Sequence, residues 1–236
     1  MKAVVLAGGK GTRLAPYTYI LPKPMMPLGD HAILEILLNQ MSRAGIVDVT
    51  MAVGHLAGLM QSYFKDGSQY KLKIDYAIET QPLGTAGPLT SIQGLDDTFL
   101  VCNGDILTLL DLQDLVRFHK EQKSVCTIAS HHQTHKINLG VIEQGEKPFR
   151  VGKYIEKPSL DFLVSMGMYI FEPEILNYIP KGDYFDFPDL VHALLGADKP
   201  VAYYKYDGYW KDLGNNHDYL EAVEDFEVMR SQFLGE

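Results

Sequence analysis

Apolar residues along the chain fall into a repeating alternation of short runs and helical stripes. Ala3 to Leu6 form a continuous apolar run that ends in glycines, the mark of a strand buried on both faces. Ile33, Ile36, Leu37 and Met41 recur at helix spacing between Asp30, which can cap such a helix, and Gly45, which can close it. Val47 to Val53 predicts a second strand and Leu56 to Phe64 a second helix ending near Gly67. Lys73 to Ala77 alternates like a strand with one buried face. A β-α-β-α-β order, with helices as crossovers, predicts a mostly parallel sheet covered on both faces. Ligands then collect at the carboxyl ends of its strands.

Farther along, the polar turn Glu79 to Gly87 leads into a helix expected from about Pro88. Thr98 to Cys102 is another buried strand, ending in Asn103-Gly104-Asp105. Asp111 caps a helix to Gln122, and Val125 to Ala129 is a strand. His131, His132 and His135 follow without helical periodicity; their spacing could hold zinc on a helix, but a solvated loop is expected. From Leu139 the elements shorten. Strands at Gly140 to Glu143, Val151 to Ile155 and Ser165 to Phe171, with Glu156-Lys157-Pro158 between, predict an antiparallel or mixed lobe at one edge of the sheet. Helices near Pro173 to Tyr178 and Phe187 to Leu195 precede an aromatic-rich strand, Val201 to Tyr206. Gly208 to Gly214 then brings a second strand-end carboxylate, Asp212. Tyr209 and Trp210 could stack on a base, although packing is the commoner use of such a pair. The closing helix, Asn216 to Phe233, aligns Tyr219, Val223, Phe226 and Met229 or Arg230. It either docks on the sheet or supplies a subunit contact, so a homo-oligomer stays open.

Composition changes this picture little, but it excludes partners. The chain has 236 residues, 46% hydrophobic and 22% charged, with no internal repeat or linker. A net charge of −9 argues against nucleic acid and anionic membranes, so any cations that matter are local. Cys102 and Cys126 sit in apolar runs without CxxC spacing. Neither a cleavable leader nor an apolar span of about 18 residues is visible. A soluble protein of a reducing, cytoplasmic compartment is expected.

Those local cations gather at the first strand's end. Gly8-Gly9-Lys10-Gly11 exposes backbone N–H groups that can converge on phosphate oxygens, Arg13 adds a planar cationic fork, and Lys23 is stiffened between Pro22 and Pro24. Neither the Walker spacing nor the dinucleotide fingerprint is present. Asp105 and Asp212, acids at separate strand ends, complete a site for a nucleoside triphosphate and Mg2+. In-line attack of a phosphate oxygen on the α-phosphate is the direct reaction for such a site. It needs no general base, because a phosphate monoester is already ionised at neutral pH.

From Leu6 through Gly8-Gly9-Lys10-Gly11-Thr12-Arg13-Leu14 to Pro22-Lys23-Pro24-Met25, the chain resembles the signature of the sugar-1-phosphate nucleotidyltransferases, and the resemblance extends over nearly all of it. It implies an α/β fold with a Rossmann-like, mostly parallel mixed sheet flanked by helices and a smaller antiparallel sugar-binding lobe. One catalytic domain would span 1–236: a nucleotide part to about 138, a sugar part over about 139–214, and a terminal helix over 215–236. By the same resemblance, Leu6, Ala7, Gly8, Gly9, Gly11, Thr12 and Arg13 hold the triphosphate, with Glu79, Pro82, Gly84 and Thr85 toward the base. Lys23 contacts the reacting phosphates, Asp105 and Asp212 ligate Mg2+, and Asn103, Gly104, Gly140, Glu156, Lys157 and Ser165 face the sugar. The catalytic residues would be Arg13, Lys23 and Asp105.

The segment Glu79 to Leu89 is most similar to that of the mannose-1-phosphate guanylyltransferases. Glu79 is acceptor-only and suits guanine, which offers N1–H and N2–H2 donors, whereas uracil and thymine offer a single N–H; as a solvated turn residue it would read nothing. Two departures touch the sugar side: Ser165-Met166-Gly167 where many members carry Asn, and Leu139-Gly140 where many carry Tyr-Gly. They leave heptose, glucose or amino-sugar phosphates open. Uridylyl, thymidylyl or cytidylyl transfer to another sugar phosphate is the rival reading, which base selectivity separates. A non-catalytic nucleotide-sugar sensor is a further alternative, but such subunits tend to lose their cations and acids, and Arg13, Lys23, Asp105 and Asp212 are all present. The chain also stops short of the hexapeptide repeats many relatives carry.

Overall fold

The computed structural model describes residues 1–235. The opening apolar run folds as β1 (Lys2–Ala7), with Ala3, Val4 and Val5 completely buried. A two-stranded ribbon, β2 (Pro27–Leu28) and β3 (His31–Ala32), precedes α1 (Ile33–Arg43). Then come β4 (Asp48–Val53), α2 (Ala57–Phe64), β5 (Lys73–Ile78), β6 (Phe99–Asn103), β7 (Ile106–Thr108) and α3 (Leu112–Gln122). The second half holds β8 (Cys126–Lys136), β9 (Gly140–Gln144), β10 (Val151–Glu156), β11 (Ser159–Phe171), α4 (Phe187–Gly196), β12 (Val201–Tyr206), β13 (Trp210–Asp212) and α5 (Asn216–Leu234).

Seven strands form one sheet in the order β12-β8-β11-β6-β1-β4-β5, and only β11 runs against its neighbours. The chain builds outward from β1 through β4 to β5 and then crosses to β6 on the other side. The order therefore reverses at β1, whose carboxyl end opens a crevice. One face is covered by α1, α2 and α3 over a core containing Leu34, Met60 and Leu115; α4 and the turns near Leu89 and Ile175 cover the other. A third cluster, with Phe226 and Phe233 fully buried, sits under α5 against α1 and the β7–β13 ribbon. The small lobe is the antiparallel β9–β10 pair beyond the long arms of β8 and β11.

Four local expectations are corrected. Ser165 to Phe171, expected in a lobe at the sheet's edge, is the inner end of β11 and lies between β6 and β8 in the central sheet, because its apolar residues pair with both. Asp30 does not cap α1; its carboxylate is held by Arg230 at 2.7 Å and His31 at 2.8 Å, while Glu35 reaches back to the Ala32 N–H at 2.8 Å. The helix expected from Pro88 is one five-residue 3-10 turn, Gly87–Ser91. Its entry is diverted because the Ala86 and Gly87 N–H groups donate to the Phe185 carbonyl at 2.9 and 3.0 Å. The three histidines lie within β8, where His131, His132 and His135 pair with Val164, Leu163 and Leu160 of β11. That pairing across sequence extends the strand past its apolar half; His132 and His135 lie exposed on the projecting arm, while His131 at its root packs on Trp210, ring centroids 5.4 Å apart.

Candidate active site

The glycine cradle grows directly out of β1. Leu6 lies in register with Asn103, and Ala7 with Val53, so the next residues project over the sheet edge. Gly11 has φ +61°, and a Cβ there would lie 2.9 Å from the Thr18 methyl; both conformation and space call for glycine. Thr18 Oγ1 donates to the Gly11 carbonyl at 2.8 Å. A single 3-10 turn, Thr12–Leu14, then exposes Thr12 and Arg13 while Leu14 plugs the core. Gly54, just past β4, backs the cradle: a Cβ would come within 3.0 Å of the Gly8 carbonyl.

Beside the cradle, two backbone bonds bring the acids together. The Gly104 N–H donates to the Leu6 carbonyl at 2.9 Å, and the Leu213 N–H donates to the Asp105 carbonyl at 3.2 Å. Asp212 is paired with Ile106 across the β7–β13 ribbon, so both carboxylates reach one spot. Lys23, only 7% exposed, places its ammonium there, on Asp105 Oδ2 and 3.7 Å from Asp212 Oδ1. Burial pushes the Asp212 carboxyl above its ordinary pKa; Lys23 and Arg13 pull it back, and Asp105 pushes it up again. A Cβ on Gly214 would sit 3.0 Å from Asp212 Oδ2 and 3.1 Å from Arg13 Nη2, so bare backbone leaves room for the guanidinium and this acid on the same side. Two facing carboxylates under partial desolvation are hard oxygen donors that favour added positive charge, and this donor set fits Mg2+. Among the described residues no cluster of three or more metal-ligating side chains forms. Two carboxylates leave the other positions of an octahedral ion to phosphate oxygens and water.

A cleft of about 650 Å3 opens over the carboxyl ends of β1, β4, β5 and β6. It brings together Leu6, Gly8 and Gly9 of the cradle with Glu79, Pro82, Gly84 and Thr85, and reaches Asn103 and Asp105. Lys10 also lines it, whereas Ala7 is buried in the core, and Gly11, Thr12, Arg13 and Lys23 stand outside this lining. The Glu79 carboxylate lies against Gly8, where a Cβ would be 2.8 Å from Oε1. Burial raises the Glu79 pKa, and the Leu83 N–H partly offsets this by stabilising the anion.

Four lining residues lie outside every stretch that the sequence marks as functional: Gly54, His55, Tyr184 and Asp186; Thr80 and Gln81, in the base-side loop, carry no role from sequence either. Gly54 and His55 follow a buried strand as Asp105 does, so the strand-end rule applied to 47–53 could have found them. Tyr184 and Asp186 come from the segment leading into α4, and no local signal marks them. This segment is stitched to the base-side loop. Thr85 donates its N–H and hydroxyl to Asp186 Oδ1 at 2.8 and 3.1 Å, and the Phe187 N–H donates to Thr85 Oγ1 at 2.9 Å. The Phe185 N–H donates to the Leu83 carbonyl at 2.9 Å. Burial raises the Asp186 pKa, but the bonds from Tyr184 and Thr85 outweigh it and hold the acid below its ordinary value.

The residues expected at the sugar are more dispersed. Gly104 is buried behind the strand end, and Gly140, Glu156, Lys157 and Ser165 lie outside the cleft lining. The Tyr154 ring covers Gly140, and its hydroxyl donates to Glu156 Oε2 at 3.0 Å. Ser165 Oγ shares a 2.9 Å bond with the Tyr169 hydroxyl and accepts the Gly167 N–H at 3.3 Å. A break in the β8–β11 register between Ser165 and Tyr169 puts Gly167, at φ +73°, against Asn103, where a Cβ would be 2.6 Å from Nδ2. Tyr209 and Trp210 serve packing, with Trp210 Nε1 donating to the Met166 carbonyl at 3.0 Å and the Tyr209 hydroxyl to Asp225 at 2.8 Å.

Residues 2–228 match the family model described as nucleotidyl transferase. The chain is 35% identical to the UTP–glucose-1-phosphate uridylyltransferase of Synechocystis sp., over 94% of this chain and 62% of the relative. It is 34% identical to the mannose-1-phosphate guanylyltransferase of Mycobacterium tuberculosis, over 94% and 64%. It thus spans less than two thirds of the length of these curated relatives. Among solved structures, HddC from Yersinia pseudotuberculosis superposes with a TM-score of 0.74 at 25% identity, over 95% of this chain and 99% of that one.

Proposed function

Because the chain belongs to the nucleotidyl transferase family, we propose that it transfers a nucleoside monophosphate from a nucleoside triphosphate to a sugar 1-phosphate, releasing pyrophosphate. Carrying this reading is the convergence of Lys23, Asp105 and Asp212 beside the glycine cradle. An oxygen of the sugar phosphate attacks the α-phosphorus, a new P–O bond forms, and the α–β bridging bond breaks with its electron pair leaving on pyrophosphate. Lys23 and Arg13 would neutralise the charge that builds on these oxygens. The cradle N–H groups orient the triphosphate so that attack is in line. Asp105 and Asp212 would hold Mg2+, which supplies further charge neutralisation when bound.

GTP and mannose 1-phosphate are the proposed substrates, giving GDP-mannose. Support for the base comes from Glu79, a carboxylate lining the cleft with no donor of its own, which suits the paired donors of guanine. The relative from Mycobacterium tuberculosis agrees; the one from Synechocystis sp. favours uridylyl transfer to glucose 1-phosphate as the second reading. The buried free thiols Cys102 and Cys126 support a cytoplasmic setting, and no described helix is long and apolar enough to cross a membrane. Pyrophosphate release, with GTP, UTP, dTTP, CTP and ATP crossed against mannose, glucose and heptose 1-phosphates, tests the reading, with Asp105→Ala as the blank. GTP with mannose 1-phosphate should lead. Glu79→Gln should lower kcat/KM for GTP by about tenfold more than for UTP; unchanged selectivity would rule out base reading by Glu79.

A further inference from the structure

The cleft has an aromatic wall that the reading above leaves without a role. Tyr184 lines it and is 63% exposed, although its ring is anchored: the hydroxyl donates to Asp186 Oδ2 at 2.5 Å. The other oxygen of the same carboxylate holds Thr85. Asp186 therefore ties Tyr184 to the loop that follows Glu79. The two segments also pack closely: Gly84 has φ +79°, and a Cβ there would lie 2.5 Å from the Phe185 carbonyl oxygen. An exposed phenol held in this way loses little further freedom when a flat ligand settles on it, the condition under which aromatic stacking contributes most to binding. Tyr209 and Trp210, the aromatic pair suggested by sequence, are committed to packing.

We propose that Tyr184 is the stacking face for the nucleobase in this cleft, and that Asp186 is the positioning residue that holds Tyr184 and the Thr85 loop in one unit. This rests on the nucleotidyl-transfer reading for the identity of the ligand. The ring covers the base's face, while Glu79 addresses its edge. Tyr184 thus contributes affinity for a nucleotide of any base and most for the larger purine ring, whereas the choice among bases belongs to the edge. Asp186 acts only through its partners.

Calorimetric titration of the intact chain with GTP, UTP and inorganic tripolyphosphate, beside steady-state kinetics, tests the proposal. Tyr184→Ala should raise the Kd and KM for GTP about tenfold, the size expected for loss of one base–aromatic stack, with a smaller rise for UTP. Tyr184→Phe, which keeps the ring but loses its anchor to Asp186, should fall between the wild type and Tyr184→Ala. Tripolyphosphate, which has no base, should bind all variants equally. Asp186→Asn should weaken GTP at near-normal kcat, and Asp186→Ala more so. Tyr184 is exposed, so its truncation should leave the unfolding midpoint unchanged. Unchanged GTP affinity in Tyr184→Ala, an equal loss for tripolyphosphate, or an equal loss in Tyr184→Phe would each overturn the inference. The two readings can fail separately. GTP binding that depends on the Tyr184 ring, without turnover of any sugar phosphate, keeps the stacking face and removes the transferase; turnover indifferent to Tyr184 does the reverse.

Discussion

A buried ammonium shared by two carboxylates differs from a surface ion pair, because little solvent screens it. Lys23 is in that position, and its removal would leave Asp105 and Asp212 facing one another across a partly desolvated gap. Lys23→Met should cost about 10²–10³ in kcat, comparable to losing one preorganised donor to a charged transition state, with a smaller rise in KM; steady-state kinetics under saturating Mg2+ measures it. A second polar residue is buried away from the site. His119, 1% exposed, bonds Glu172 Oε1 through Nε2 at 3.1 Å and the Thr127 hydroxyl through Nδ1 at 2.7 Å. Glu172 only accepts, so Nε2 carries the proton and Nδ1 accepts from Thr127. Burial lowers the pKa of His119 below its ordinary 6.5, and Glu172 offsets only part of that. The unfolded chain then takes up the proton first. The stabilisation is present above pH 6.5 and is lost as pH falls below it. Unfolding midpoints compared at about pH 7.5 and pH 5.5 should fall less in His119→Gln than in the wild type.

Elements act here by holding short segments in register. The loop from Pro82 to Ala86 has no regular structure, yet it is fastened to the segment before α4 by backbone and side-chain bonds. Gly84→Ala must both adopt φ +79° and displace the Phe185 backbone, so it should destabilise by about 2 kcal/mol or more and raise the KM for the triphosphate. Denaturant unfolding together with kinetics checks both effects. The same dependence on distant partners explains where local patterns failed. His131 to Lys136 looked like a loop because only β11, some thirty residues later, makes it a strand. Asp30 looked like a cap because its true partner, Arg230, lies on α5. By contrast Asp111 caps α3 as expected, accepting the Gln113 and Asp114 N–H groups at 2.8 and 3.3 Å, because capping is decided within a few residues.

Taken together, the sheet reversal at β1, the covered faces and the cluster under α5 make a scaffold packed through apolar cores, and its fold is expected to stand without a metal. The acids that would hold Mg2+ already have Lys23 as counter-charge. Chelation by EDTA should therefore abolish turnover and leave the unfolding midpoint unchanged within error, read from a thermal melt beside a pyrophosphate assay. A midpoint that drops on chelation would assign the ion a structural part.

The succession of β1, β4, β5 and β6, the helices α1 and α2 between the first three, the glycine cradle and the strand-end acids are legible in the amino-acid sequence, because apolar periodicity and glycine spacing act over a few neighbouring residues. Tertiary structure alone decided that β7 and β13 pair, so that Asp212 meets Asp105 and Lys23. It alone also decided that Tyr184 and Asp186 line the same cleft as Gly8 and Glu79. Such contacts join positions a hundred residues apart, and their energy is realised only when non-local pairing has already closed the intervening chain.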